Sequence, residues 1–163
     1  MEILIREHVD SEQEVLRGFL YLAIYTPTGQ PPPSVQIIQT PELSRYVENW
    51  GKPDDQAVFA VLDEKIVGAC WTRCFSSSEP GYGFIKSRIP ELSIAVLPEY
   101  QQIGIGTKLI VALLRKIQDN YPAISLSVST TNPAKHLYEK LGFKCLSQSN
   151  QQMVMIKRRP PSK

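Results

Sequence analysis

Met1 to Glu7 alternates apolar and polar residues, the period of a strand with one face buried. Ser11 and Glu14 then stand at capping-box spacing, and Val15, Leu16, Phe19, Leu20 and Ala23 repeat as the apolar stripe of a helix that ends near Tyr25. Thr26 to Ser34 carries too many prolines for regular structure and reads as a long loop. Thr40-Pro41-Glu42 is a helix start, with Leu43, Tyr46, Val47 and Trp50 as its buried face. The period then shifts to that of strands. Ala57–Leu62 and Ile66–Cys74 flank Asp63-Glu64-Lys65 as a hairpin, and Phe75 to Lys86 follows as a second long polar loop.

The second half alternates strands and helices. Leu92, Ile94 and Val96 form one face of a strand that Pro98 stops, and Gly104 to Asp119 is an amphipathic helix built on Leu109, Ile110, Leu113 and Ile117. Ile124, Leu126 and Val128 alternate with serines. Asn132-Pro133 opens another helix that stops at Gly142, and Phe143–Leu146 and Gln152–Ile156 close the chain as strands. A helix of about four turns between two strands implies a right-handed crossover and hence a parallel pair. The order predicts an α/β fold, with a mixed, mostly antiparallel central sheet flanked by helices and chemistry at the carboxyl ends of the parallel strands.

Composition narrows the classes. The 163 residues, 42% hydrophobic and 21% charged, suit a single domain, and 18 Lys plus Arg against 16 Asp plus Glu leave no strong field for nucleic acid or a membrane surface. No apolar run approaches the roughly 20 residues of a membrane span, and the N-terminus lacks signal-peptide character, so a cytoplasmic protein is expected. The basic tail, residues 157–163 with Lys157, Arg158, Arg159 and Lys163 around two prolines, reads as a frayed terminus. Cys70, Cys74 and Cys145 have no metal or redox spacing, and His8 and His136 lie far apart, so no metal site is expected. Cys70, Thr72 and Cys74 share one strand face as small buried residues.

Two segments carry candidate chemistry. In Val96 to Thr107 a strand runs through Gly104 and Gly106 into a helix, which aims backbone N–H groups and the positive helix end at one spot, an anion site; an ordinary strand-to-helix turn is the alternative. The phosphate loop G-x-x-x-x-G-K-[ST] is absent, and Leu109 replaces the third glycine of G-x-G-x-x-G. In Asn132 to Phe143, Ala134, Leu137, Tyr138 and Leu141 share one helix face. Tyr138 is either simply core or a proton donor beside a ligand.

Together, Gln101-x-x-Gly104-x-Gly106 and Asn132-x-x-Ala134-x-x-Leu137-Tyr138-x-Lys140-x-Gly142-Phe143 resemble the two motifs of the GNAT superfamily of N-acetyltransferases. Gln101 and Gln102 stand where Arg-Gly is commoner in that family, which softens phosphate contacts and leaves the backbone donors in place. The resemblance covers residues 91–143 as an acetyl-CoA-binding core and leaves 1–55 as acceptor-side helices and loop. It implies acetyl-CoA as donor, with backbone groups of Ile94, Ala95 and Val96 along the pantetheine arm and the segment Gln101, Gln102, Ile103, Gly104, Ile105, Gly106 and Thr107 at the pyrophosphate. Asn132 and Ala134 would lie near the cofactor arm, Asn132 having the alternative of a plain N-cap, and Tyr138 would protonate the departing thiolate.

An alkyl ammonium with pKa near about 10 needs a proton acceptor. Glu91, on the strand face opposite Leu92, Ile94 and Val96, is the candidate base, with a solvated strand-end carboxylate as the alternative. Glu79 and Tyr82 are lesser candidates for acceptor contact, and a backbone N–H near Val96 is the candidate oxyanion donor. The expected function is direct acetyl transfer to a primary amine of a small molecule or protein. A non-catalytic acyl-CoA sensor is the rival, a longer acyl group a variant of the enzyme, and a homodimer stays open.

Overall fold

The opening alternation becomes strand β1 (Leu4–Glu7), and the stripe after it becomes helix α1 (Gln13–Ala23). The computed structural model describes residues 2–7 and 12–161, so the expected capping residue Ser11, together with His8 and Lys163, lies outside the described residues. Helix α2 (Pro41–Ser44) begins at the expected proline. Strands β2 (Gln56–Leu62) and β3 (Lys65–Arg73) form the expected hairpin. Its turn residues Asp63 and Glu64 have φ of 50° and 66°, a two-residue connection whose twist matches that of the strands.

Strand β4 (Glu91–Val96), helix α3 (Ile105–Ile117), strand β5 (Ala123–Ser129) and helix α4 (Ala134–Lys140) follow, and strands β6 (Lys144–Gln148) and β7 (Gln152–Arg158) end the fold. Among the described residues one seven-stranded sheet runs in the order β1-β2-β3-β4-β5-β7-β6. Every neighbouring pair is antiparallel except β4 and β5, the pair joined by the α3 crossover.

The sheet buries both faces. On one, Leu109, Leu113 and Ile117 of α3 and Tyr138 of α4 pack with Cys70, Leu92 and Leu126. On the other, Leu16, Phe19 and Leu20 of α1 join Tyr46, Val47, Phe59, Trp71 and Ala95. Strand alternation sends Leu92 to the α3 side and Ala95 to the α1 side, so Glu91 belongs to the α1 face.

Two expectations change, and one element was not foreseen. The second helix keeps its buried positions Tyr46 and Val47, but regular helix stops at Ser44 and the chain continues as turns, because the carbonyls of Arg45 and Glu48 accept bonds from Arg73 and Asn49 turns left-handed at φ 53°. A 3-10 turn, Val35–Gln39, follows the proline-rich loop, started by Ser34 Oγ accepting the Gln36 N–H. The basic tail is not frayed at its start: Lys157 and Arg158 pair with Ile124 and Ala123 in the sheet, and the Arg159 N–H donates to the Pro122 carbonyl at 2.9 Å. No helix of the described residues is long and apolar enough to cross a membrane.

Candidate active site

The parallel pair that the crossover creates is barely a pair. Strands β4 and β5 share a single register position, Glu91 with Ser125, next to a bond from the Ser125 N–H to the Pro90 carbonyl at 3.0 Å. Beyond it they diverge. The Leu97 N–H donates to Val67 O at 2.8 Å, so by antiparallel alternation Ala95, Ser93 and Glu91 turn their backbone groups toward β3. Leu92, Ile94 and Val96 turn theirs toward the gap, where Val96 O already accepts from Gln101 Nε2. Ala95 does not: its backbone belongs to the β3 ladder and its methyl to the α1 core.

The gap opens into a cleft of about 700 Å³. Its wall includes Glu91, Ile94, Asn132, Tyr138 and, from the second long loop, Tyr82, five of the residues singled out from the sequence, and it takes Pro27 and Gln30 from the first long loop. Glu79 does not line it.

The Gln101–Thr107 segment lies past the far end of β4 and is not part of that wall. Gly104 sits at φ 90°, a conformation that costs an L-residue, and starts α3. The Lys108 N–H to Gly104 O bond, 3.2 Å, is the first of the helix, so the N–H groups of Ile105, Gly106 and Thr107 have no acceptor within it. The side chain of Ile105 is core and that of Ile103 is exposed. A Cβ on Gly106 would meet Leu137 and Ile94 at 3.6 and 3.7 Å, ordinary contact within the protein itself. Gln102 carries φ 65°, a strained value at the position where the resemblance favours glycine. Gln101 Nε2 donates to Val96 O at 3.0 Å and ties the loop back to the strand edge.

On α4, the Oδ1 of Asn132 accepts the Ala134 N–H at 2.9 Å, the capping geometry expected as one of its two roles. Tyr138 is buried edge-on against Phe143, with ring centroids 6.3 Å apart. Burial, and secondarily Cys70, raises its phenol above the ordinary range, so it holds its proton. Burial also pushes up the thiols of Cys70 and Cys74, the latter to about 11, which disfavours either as a nucleophile.

Glu91 is 3% exposed, which removes the solvated alternative. The hydroxyl of Tyr46 donates to its Oε2, and the Gly83 N–H donates to its Oε1 at 3.0 Å. The Tyr46 hydroxyl in turn accepts the Tyr82 N–H at 2.7 Å. Burial raises the Glu91 carboxyl to about 7, against the lowering effect of the Tyr46 and Gly83 bonds. The second loop thus folds onto the carboxylate so closely that a Cβ on Gly81 would come 2.3 Å from Glu91 Oε1, and one on Gly83 2.8 Å from the Leu126 backbone.

Tyr46 is itself fixed. Arg73, the register partner of Glu91 on β3, donates to the carbonyls of Arg45 at 2.9 Å and Glu48 at 2.6 Å and forks onto Asp55 through bonds of 3.0 and 2.8 Å. Trp71 Nε1 donates to Tyr46 O at 3.2 Å. Both members of the Arg73–Asp55 pair are buried, 3% and 2% exposed, and Asp55 also accepts the N–H groups of Gly51 and Lys52. Tyr46, Arg73, Gly81 and Gly83 were not foreseen as site residues, although Tyr82 between the two glycines was a lesser candidate. The two glycines around Tyr82, in a loop otherwise rich in serine, were the available signal.

A family model described as an acetyltransferase (GNAT) domain matches residues 53–145, more than half of the chain. The chain belongs to the GNAT acetyltransferase family. It is similar to an N-alpha-acetyltransferase of Sulfurisphaera tokodaii, 35% identical over 109 residues that cover 61% of this chain and 62% of that protein. It is likewise similar to an N-alpha-acetyltransferase of Saccharolobus solfataricus, 40% identical over 95 residues, 52% of this chain and 54% of the other. The chain thus spans less than two thirds of these relatives. Among solved structures, the PaiA N-acetyltransferase of Thermoplasma acidophilum in complex with coenzyme A superposes with a TM-score of 0.69 at 20% identity, covering 97% of this chain and 99% of that one, a likeness of fold. The GNAT fold expected from the sequence is therefore present.

Proposed function

We propose that the protein is an acetyl-CoA-dependent N-acetyltransferase acting by direct transfer on a primary amine, with Glu91 as general base and Tyr138 as general acid. One observation carries it: a buried, doubly hydrogen-bonded carboxylate and a proton-holding tyrosine line one cleft, at a place where two parallel strands part. The free edge at Ile94 and Val96 and the helix-start amides from Gly104 onward fit the donor molecule, the first as an added strand would pair and the second as an anion seat. When bound, acetyl-CoA supplies a thioester carbonyl to the amine and a sulfur that leaves.

With its carboxyl raised to about 7, Glu91 changes protonation state near neutrality and, once ionised, can take the proton an ammonium must lose. Tyr138 holds its proton on Oη for the departing sulfur. The edge N–H of Val96 serves as hydrogen-bond donor to the oxygen on which negative charge builds. A protein α-amine as acceptor is supported by the N-alpha-acetyltransferase names of the two archaeal relatives. A cytoplasmic setting is supported by three free cysteines.

The test is release of free CoA thiol across amines and peptides, for wild type, Glu91→Gln and Tyr138→Phe. Turnover is expected to rise with pH through about 7 as Glu91 ionises. Each variant is expected to lose about 10²–10⁴-fold in kcat while coenzyme A affinity changes little. Coenzyme A binding without turnover on any acceptor is the sensor's signature and overturns the enzyme assignment.

A further inference from the structure

All the formal charge in the cleft belongs to one residue. Among the described residues that line it, Glu91 is the single carboxylate, and no Lys, Arg, His or Asp takes part. The remaining lining divides by character. Ser93, Ser127 and Ser129 lie on the Glu91 face of β4 and β5 by strand alternation, a neutral floor of hydroxyls that runs away from the carboxylate, with Ser127 bonded to Gln152 and Ser129 to Thr131. Leu20 and Ile24, with Ile37 and Leu43, make the side supplied by α1 and the segment after it hydrocarbon.

Such a cleft can neutralise one cation and no more. A polyamine brings a second ammonium with no second acid to meet it, and a free amino acid sets a carboxylate beside its amine with no cation to pair it. Both leave an uncompensated charge against apolar wall, which is costly. An amide next to the amine is neutral, and serine hydroxyls serve both its N–H and its C=O. An apolar or small side chain on the adjacent carbon suits the hydrocarbon side.

We propose that the acceptor is the α-amine of a peptide whose first residue is uncharged. This rests on the acetyl-transfer assignment above and narrows it by excluding polyamines and free amino acids.

The test compares kcat/KM, at fixed acetyl-CoA, for three peptides differing only in their first residue (Leu, Glu or Lys), for an N-terminally blocked lysine peptide, for free leucine and for spermidine. The Leu-initiated peptide is expected to exceed each of the others by about 10²-fold. Free leucine, spermidine or the blocked peptide performing within a few-fold of it overturns the proposal while leaving acetyl transfer intact. Failure to acetylate any of them, by protein that binds coenzyme A, overturns both. A second arm places a cation in the wall. Leu43→Arg, or Ile37→Arg if the first does not fold, is expected to raise the Glu-to-Leu peptide ratio about tenfold. An unchanged ratio in a folded variant counts against the assignment of that wall to the acceptor's first side chain.

Discussion

The two halves of the site are made of different materials. On the proposed donor side the groups that matter are backbone: the edge of β4 at Ile94 and Val96, and the N–H groups without a helical acceptor where Gly104 opens α3. On the proposed acceptor side they are side chains held by other side chains, Glu91 by Tyr46 and Tyr46 in place by Arg73 and Trp71. A backbone site is written in local sequence, because strand, glycine turn and helix start follow one another along the chain. A side-chain site is written in pairs that meet only after folding.

That contrast can be broken or sharpened at three places. The largest effect is expected at Arg73. Removing one partner of a buried ion pair strands the other, so Arg73→Met is expected to lose about 3–5 kcal/mol in urea unfolding. The double variant with Asp55→Asn should lose less than the sum of the singles, since no charge is left stranded. Full additivity of the two would show that the pair is not a unit.

An intermediate effect is expected at Tyr46. Tyr46→Phe removes a hydroxyl that stabilises ionised Glu91, so the carboxyl should rise above about 7. The acidic limb of the pH–rate profile then moves to higher pH, the rate near neutrality falls by about fivefold for a shift of one unit, and the loss is recovered in alkali. A loss equal at every pH would make Tyr46 a packing residue only.

The smallest is expected in the donor loop. Gln102→Gly relieves a left-handed residue but loosens the unfolded chain, two effects of about 1 kcal/mol each that oppose, so melting should scarcely move. Gly104→Ala, at φ 90° without compensation, is expected to cost about 1–2 kcal/mol. Equal responses at the two positions would mean that the loop takes a different path in solution.

The same division explains what could be read from the sequence. The strand before Pro98, the helix after Gly104, the crossover and the capping role of Asn132 all depend on residues within a few positions of one another, and all are present. Glu91 was found by its place on a strand face. Its partner Tyr46 lies 45 positions away, and the stripe of Leu43, Tyr46, Val47 and Trp50 gave that tyrosine a core role and a longer helix. Helical periodicity reports which residues are buried, and Tyr46 is. It does not report that Arg73 takes the carbonyls of Arg45 and Glu48. The resemblance grouped Ala95 with Ile94 and Val96 as one run of backbone, which overlooks that successive residues of a strand turn their backbone groups to opposite sides.

The parting of β4 and β5 bears on more than chemistry. An interior strand edge left open is an unfinished sheet, and a ligand that pairs with it, as proposed for the acetyl donor, would complete the fold as well as serve the reaction. A ligand held there at a hundredfold excess over its Kd adds about 2.7 kcal/mol to the folded state. The lifetime of such a protein in a cell, against proteases that act on its opened form, would then follow the supply of that ligand, so that scarcity thins the enzyme along with its substrate.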